Sequence, residues 1–299
     1  MNISTIEDKI TNLILSIYKI FILSRNRFYL IKKTKILASL IFLVYKVTPI
    51  NKFILKNIEL ALNIKNENNK VKKIEKDFVH NLLKNISDLL KTSEDNSNEI
   101  LKLVKFTNEE NIIEAKSYNK GIIFVSAHYG LWELMAIAVK KKYDLKLSVF
   151  AQRPLNKVFE ELFYNYRKRL GIETYYNEGI SSLKKVDESI KNKECFAFLV
   201  DQHGESKNTL VKFIDKEVSF PSVSVNFAYK YNVPIVPVFI KRNEYDIHEI
   251  TFYKPIFCNG NDKKIAIQKT AQEIYNIFES FILEKPDEWL WTYERFNKL

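Results

Sequence analysis

Apolar positions recur along this chain in two rhythms, and the change between them falls at Gly121. Before it, Phe53, Ile54, Ile58, Leu60 and Leu62 are spaced at roughly helical intervals, as are Phe78, Val79, Leu82, Leu83, Ile86, Leu89 and Leu90. Polar connections at 63–73 and 92–98 separate these stretches, so residues 51–120 are expected to be a helical part. After Gly121, short apolar runs alternate with amphipathic stretches. Strands are predicted at 121–126, 145–151, 195–200, 210–214, 234–240 and 247–252, and helices at 131–142, 156–170, 180–192, 220–231 and 263–284. Apolar β-branched runs separated by helices imply an α/β fold: a mainly parallel sheet flanked by helices on both faces.

The opening of the chain has a third pattern. Residues 10–23 are apolar but for a few polar residues and Lys19, and a basic cluster follows (Arg25, Arg27, Lys32, Lys33, Lys35). A second apolar run, 36–44, ends before Lys46 and Pro49. A spanning helix takes about 20 predominantly apolar residues, and neither run reaches that length without a lysine. The expectation is a helical membrane-associating segment over 1–50, lying on the membrane or barely spanning it, with its basic residues against anionic head groups. Two core helices of a soluble domain are the alternative. Residues 51–299 then form the α/β domain.

Charge adds a class of partner. Lys and Arg number 47 against 36 Asp and Glu, a net charge of +11, which favours nucleic acid, anionic lipid or an acidic protein. No glycine-rich phosphate loop of either common type is present, which disfavours nucleotides, and no nucleic-acid-binding module matches. The two cysteines, Cys195 and Cys258, form neither a disulfide framework nor a zinc pair, so a reducing compartment and no metal are expected. The N-terminus lacks a basic region and small-residue cleavage site, so a location on the cytoplasmic side is expected.

The chemistry concentrates where the first strand ends. His128 follows that strand in a turn with Gly130, and Glu133 lies five positions on, at the start of a helix. On a continuous helix that spacing is about 140° of rotation, so the pair can meet only if His128 sits in the turn and Glu133 reaches back. The carboxylate would then set the imidazole tautomer and make the other ring nitrogen a general base. Spacing leaves open the alternative of a strand-end histidine and a glutamate that merely complements the helix dipole. His80, beside an apolar helical stripe, reads as structural, and His203 as a loop histidine competing for the role of base. Cys195, inside a strand with no histidine partner in sequence, disfavours a cysteine nucleophile.

His-Tyr-Gly-Leu-Trp-Glu at 128–133 resembles the His-x4-Asp/Glu motif of glycerolipid acyltransferases. It resembles in particular the aromatic form in the late acyltransferases of lipid A biosynthesis, the lauroyl/myristoyl transferase family. The likeness continues in order through Gln152-Arg153-Pro154-Leu155-Asn156, Arg167 in the following helix, and Phe198-Leu199-Val200-Asp201-Gln202. It runs on through 232–238, the closing block with Trp289 and Trp291, and Arg295.

The resemblance implies transfer of a fatty acyl chain from an acyl carrier protein thioester to a hydroxyl of a lipid A precursor. The reaction would take place at the cytoplasmic face of the cell inner membrane, with no metal or dissociable cofactor. It implies His128 as the base and Glu133 as its orienting carboxylate. Arg153 or Arg167 would hold phosphate groups or the thioester oxygen, and Asp201, with Gln202 beside it, would position an arginine or an acceptor hydroxyl. Another glycolipid or a lysophospholipid is the alternative acceptor, and a catalytically silent lipid-binding protein of the same fold is the rival class. Departures from the family pattern include Leu131 where asparagine is frequent, Phe220-Pro221 in place of a glycine-containing turn, and Tyr293 in place of histidine.

Overall fold

The structure, a computed structural model, describes residues 49–64, 69–92, 97–153, 157–202 and 209–296. The apolar runs at 10–23 and 36–44 and the competing His203 lie outside the described residues. Among the described residues no helix is long and apolar enough to cross a membrane.

Two helices, α1 (Pro49–Leu62) and α2 (Asn69–Thr92), and a short third, α3 (Ser97–Lys102), lead into β1 (Val104–Thr107) and α4 (Glu109–Ser117). Then come β2 (Ile123–Ser126), α5 (Trp132–Tyr143), β3 (Leu147–Ala151), α6 (Lys157–Arg169), β4 (Glu173–Tyr176), α7 (Ile180–Lys191) and β5 (Cys195–Leu199). A hairpin of β6 (Leu210–Phe213) and β7 (Lys216–Ser219) precedes α8 (Val223–Tyr231), β8 (Ile235–Arg242), β9 (His248–Phe252) and α9 (Lys263–Glu284).

Seven strands form one sheet in the order β1-β9-β8-β2-β5-β3-β4. Every neighbouring pair runs parallel except β8 with β9, so the expected mainly parallel sheet is present. Strand alternation sorts side chains to two cores. Ile123, Val125, Phe196, Phe198, Ile235 and Phe239 face the helices α1, α2, α7, α8 and α9. Phe124, Cys195, Val236, Val238 and Ile240 face α3, α4 and α5. Both faces are covered, which is why these strands read as continuous apolar runs.

Three strands escape the sequence pattern. β1, β4 and β7 are each four residues long, and their partly exposed, polar-containing sequences carry little periodicity. The run at 210–214 forms a strand but not one of the seven-stranded sheet. It pairs antiparallel with β7 across a turn at Ile214 and Asp215, both at positive φ (49° and 58°), as a tight two-residue hairpin requires. α9 covers this hairpin and completes its hydrogen bonds. The Gln272 amide accepts from Lys212 N–H (2.7 Å) and donates to the Lys212 carbonyl (2.8 Å).

At the other end of the sheet, Arg242 is buried and donates to Asn85 (2.9 Å) and Asp88 (2.8 Å) of α2. His248 Nε2 lies 3.1 Å from the same aspartate. These contacts fasten α2 across the β8–β9 pair. His80, on the same helix, makes a ring contact to the Lys76 carbonyl (2.9 Å) at the exposed surface.

Candidate active site

Parallel register decides which side chains meet. Ser126, the last residue of β2, pairs with Leu199, the last residue of β5. The ladder continues one step further as Val200 N–H donates to the Ser126 carbonyl (2.9 Å). Two residues beyond that pair on each strand stand His128 and Asp201, side by side at the carboxyl end of the sheet, where open parallel sheets bind ligands.

His128 Nδ1 lies 2.8 Å from Asp201 Oδ1, and the His128 backbone N–H donates to Oδ2 at 3.0 Å. Trp289 Nε1–H also donates to Oδ2, at 2.9 Å. The Asp201 side chain is 3% exposed, while that of His128 is 22% exposed. Burial pushes the Asp201 carboxyl up, but the neighbouring His128, its ring N–H, the indole N–H and the backbone amide together hold it below its usual range. An ionised Asp201 accepts a proton-bearing Nδ1 and leaves Nε2 as the basic nitrogen. Among the described residues Nε2 has no protein partner.

The turn from 127 to 131 is shaped by its backbone. Gly130 has φ +58°, and a Cβ placed there would overlap the Ile240 carbonyl oxygen. Gly130 N–H donates to the Glu288 carbonyl (2.9 Å), and Leu290 N–H donates to the His128 carbonyl (2.9 Å). Tyr129 and Trp289 thereby form an antiparallel bridge between the turn and the segment after the 3-10 turn Pro286–Glu288.

Glu133 stands elsewhere. α5 begins at Trp132, so Glu133 is already helical and its carboxylate faces α6. Arg167 Nε donates to Oε2 at 2.8 Å and Nη2 to Oε1 at 2.5 Å. Trp132 Nε1 donates to Oε1 at 3.1 Å, and the Trp132 ring meets the His128 ring edge-on with centroids 5.2 Å apart. No hydrogen bond joins His128 to Glu133. The glutamate connects to the histidine through an intervening indole, and the carboxylate in contact with His128, where Glu133 was expected, is that of Asp201. Burial works against the Arg167 cation, but the Glu133 charge and its hydrogen bonds outweigh this and raise its pKa.

A residue model of bacterial lipid A biosynthesis acyltransferases matches the chain over residues 20–298. The chain belongs to that family. It is therefore an acyltransferase that moves groups other than aminoacyl groups, with an acyl donor and a lipid acceptor. Comparison with curated proteins finds no match.

The acyltransferase has a small apolar cavity between α5 and the sheet, about 60 Å³ in volume and partly open to solvent. Phe124, Ala136, Val139, Leu147 and Phe198 line it, while Trp132, Glu133 and Arg167 supply its polar wall. Ser126 also lines it, and its buried hydroxyl lacks a hydrogen-bond partner among the described residues.

The other expected residues separate. Arg153 is half exposed, bonds Glu178 and Glu160, and lies over the Tyr176 ring at 4.4 Å. Gln202 directly follows Asp201 and is partly buried. Cys195 is buried, and desolvation pushes its thiol up to about 11, where it is protonated at neutral pH and a poor nucleophile. Among the described residues no group of three His, Cys, Asp or Glu side chains is arranged to hold a metal. Trp289 is the residue that sequence reasoning left without a role. Its signal was a tryptophan destined for burial, whose N–H must find an acceptor.

Proposed function

We propose that this acyltransferase moves a fatty acyl chain from an acyl carrier protein thioester to a hydroxyl of a lipid A precursor. The reaction takes place at the cytoplasmic face of the inner membrane and uses no dissociable cofactor. The observation that carries the reading is the His128–Asp201 contact at the carboxyl end of the sheet, where the His128 ring meets Trp132, a residue that lines an apolar cavity. Nε2 of His128 takes the proton of the acceptor hydroxyl as its oxygen attacks the thioester carbonyl. The carbon–oxygen bond forms, the tetrahedral intermediate collapses, the carbon–sulfur bond breaks, and the thiolate leaves with the proton from the imidazolium. Asp201 holds the tautomer and stabilises the charged ring.

Glu133 serves this site by holding Arg167, whose planar guanidinium suits a phosphate or the thioester oxygen. Arg153, further out, suits phosphate groups of the acceptor, and Gln202, next to Asp201 in the chain, hydrogen-bonds an acceptor hydroxyl. The net charge of +11 favours both an acidic carrier protein and an anionic leaflet.

Incubation of the purified full chain with acyl carrier protein thioester and a lipid A precursor tests the proposal by mass spectrometry. The expected product is heavier by one acyl group, and His128→Ala loses roughly 10²–10⁴ in rate. Acylation of a lysophospholipid but not of the lipid A precursor would overturn the acceptor. No acylation of any lipid, with the fold intact, would favour a silent lipid-binding protein.

A further inference from the structure

The carboxylate beside His128 is held from two sides, and one of those sides belongs to the far end of the chain. Oδ1 of Asp201 takes the ring nitrogen, whereas Oδ2 takes the His128 amide and the Trp289 indole. A carboxylate can rotate about its last bond, and only donors on the second oxygen stop it. The His128 amide is fixed by the turn, so Trp289 is the one side-chain donor in the pair. Trp289 is 3% exposed, and its N–H has Asp201 as its acceptor. Without Asp201 the buried indole N–H would be left unsatisfied, and without Trp289 Oδ2 would keep only the His128 amide.

The indole is itself fixed. Its backbone is bridged to Tyr129, Gly130 N–H reaches the Glu288 carbonyl, and Leu290 N–H reaches the His128 carbonyl. Tyr129 Oη donates to the Lys285 carbonyl at 2.8 Å. The Trp289 ring packs edge-on against Phe213 (centroids 5.7 Å) and Trp291 (4.7 Å). The segment from Lys285 to Trp291 therefore grips the catalytic turn through its backbone and the catalytic carboxylate through one side chain.

We propose that Trp289 is a positioning residue for acyl transfer: its indole N–H locks Asp201 Oδ2 and so fixes the orientation and tautomer of His128. This rests on the reading of His128 as the base. Trp289 touches no reacting atom, so its loss acts on the chemical step and leaves substrate affinity in place.

The test is replacement of Trp289 by benzothienylalanine, which keeps the ring shape and puts sulfur where the N–H was. Trp289→Phe is a second variant. The expected result is a fall in kcat of at least about tenfold, the scale of one hydrogen bond to a charged group, with KM unchanged. The downfield Nδ1 proton of His128, read by NMR without substrate, is expected to shift or broaden. Asn111→Ala is the control. Asn111 is buried on α4, and its side-chain amide donates to the Phe252 carbonyl (2.9 Å), away from Asp201 and from the Lys285–Trp291 segment. It should lower Tm and leave kcat and the Nδ1 proton as they are. An analogue enzyme with wild-type kcat and an unmoved Nδ1 proton overturns the proposal, as does an equal loss of kcat in Asn111→Ala. If His128→Ala keeps the wild-type rate, the general-base reading fails and the Trp289 proposal falls with it. If His128→Ala is inactive while the analogue is fully active, the Trp289 proposal alone falls.

Discussion

Both carboxylate oxygens of Glu133 are taken by Arg167, Nε to Oε2 at 2.8 Å and Nη2 to Oε1 at 2.5 Å. The glutamate of the His-x4-Glu motif thus anchors a cation at the wall of the apolar cavity, and the histidine of the motif is served by Asp201. The motif is one stretch of sequence but contributes to two pairs.

That division predicts energetic coupling between positions 133 and 167. The side chains are 7% and 13% exposed, so neither charge is well solvated alone. Arg167→Met should destabilise by roughly 3–5 kcal/mol, because it leaves a buried carboxylate unpaired. Glu133→Gln should cost about 1–3 kcal/mol, since the amide keeps one hydrogen bond but not the charge. Urea melts of the double variant should show less than the sum of the two losses, by more than about 1 kcal/mol. Additive losses would mean that the pair does not act as a unit.

Asp201→Asn tests the other pair through tautomer chemistry. Oδ2 accepts two N–H groups, so an asparagine must keep its oxygen there and turn its NH₂ toward His128. Nδ1 then has to accept, the proton moves to Nε2, and the base is lost. Transfer should fall by roughly 10²–10⁴ while folding survives. A variant with more than half the wild-type kcat would remove Asp201 from the mechanism.

The same carboxylate predicts a pH dependence of stability. Its folded pKa is depressed below the unfolded value of about 3.9. The stabilisation it contributes is therefore fully present above about pH 5 and is lost as pH falls through the unfolded and then the folded pKa. The stability gap between wild type and Asp201→Asn should close as pH falls below about 5. Denaturant melts at a series of pH values measure it, and a gap that widens below about pH 5 would contradict the depressed pKa.

How much of this was legible in the chain depended on periodicity and on length. α9 was predicted at its observed bounds because its apolar stripe is long and Asp262 caps it, accepting from Ile265 N–H. β2 and β5 were readable because both faces are buried. β1, β4 and β7 were not, because four-residue strands at the margin show no repeat. The histidine and aspartate were each picked out, but their partnership was not. It is created by the pairing of Ser126 with Leu199, and no local spacing encodes which strands lie side by side. The sequence neighbour Glu133 therefore stood in for the spatial neighbour Asp201.

If the transferred acyl chain enters the cavity, its length is set along α5. α5 starts at the site with Trp132 and runs away from it, so Val139 lies about 10 Å further along the helix axis. Val139 and Leu147, at the start of β3, close the far end, and Ala136 lies nearer the site. Val139→Phe should fill that end and shift the transferred acyl groups toward shorter chains, at a packing cost of about 1–3 kcal/mol. Ala136→Phe, nearer the mouth, should depress transfer of every long chain rather than select among them. Mass spectrometry of product formed from an equimolar mixture of carrier-protein thioesters reads the distribution directly. If folded Val139→Phe gives the wild-type distribution, the acyl chain does not lie in this cavity. The apolar space between α5 and the sheet would then be packing slack rather than a binding site.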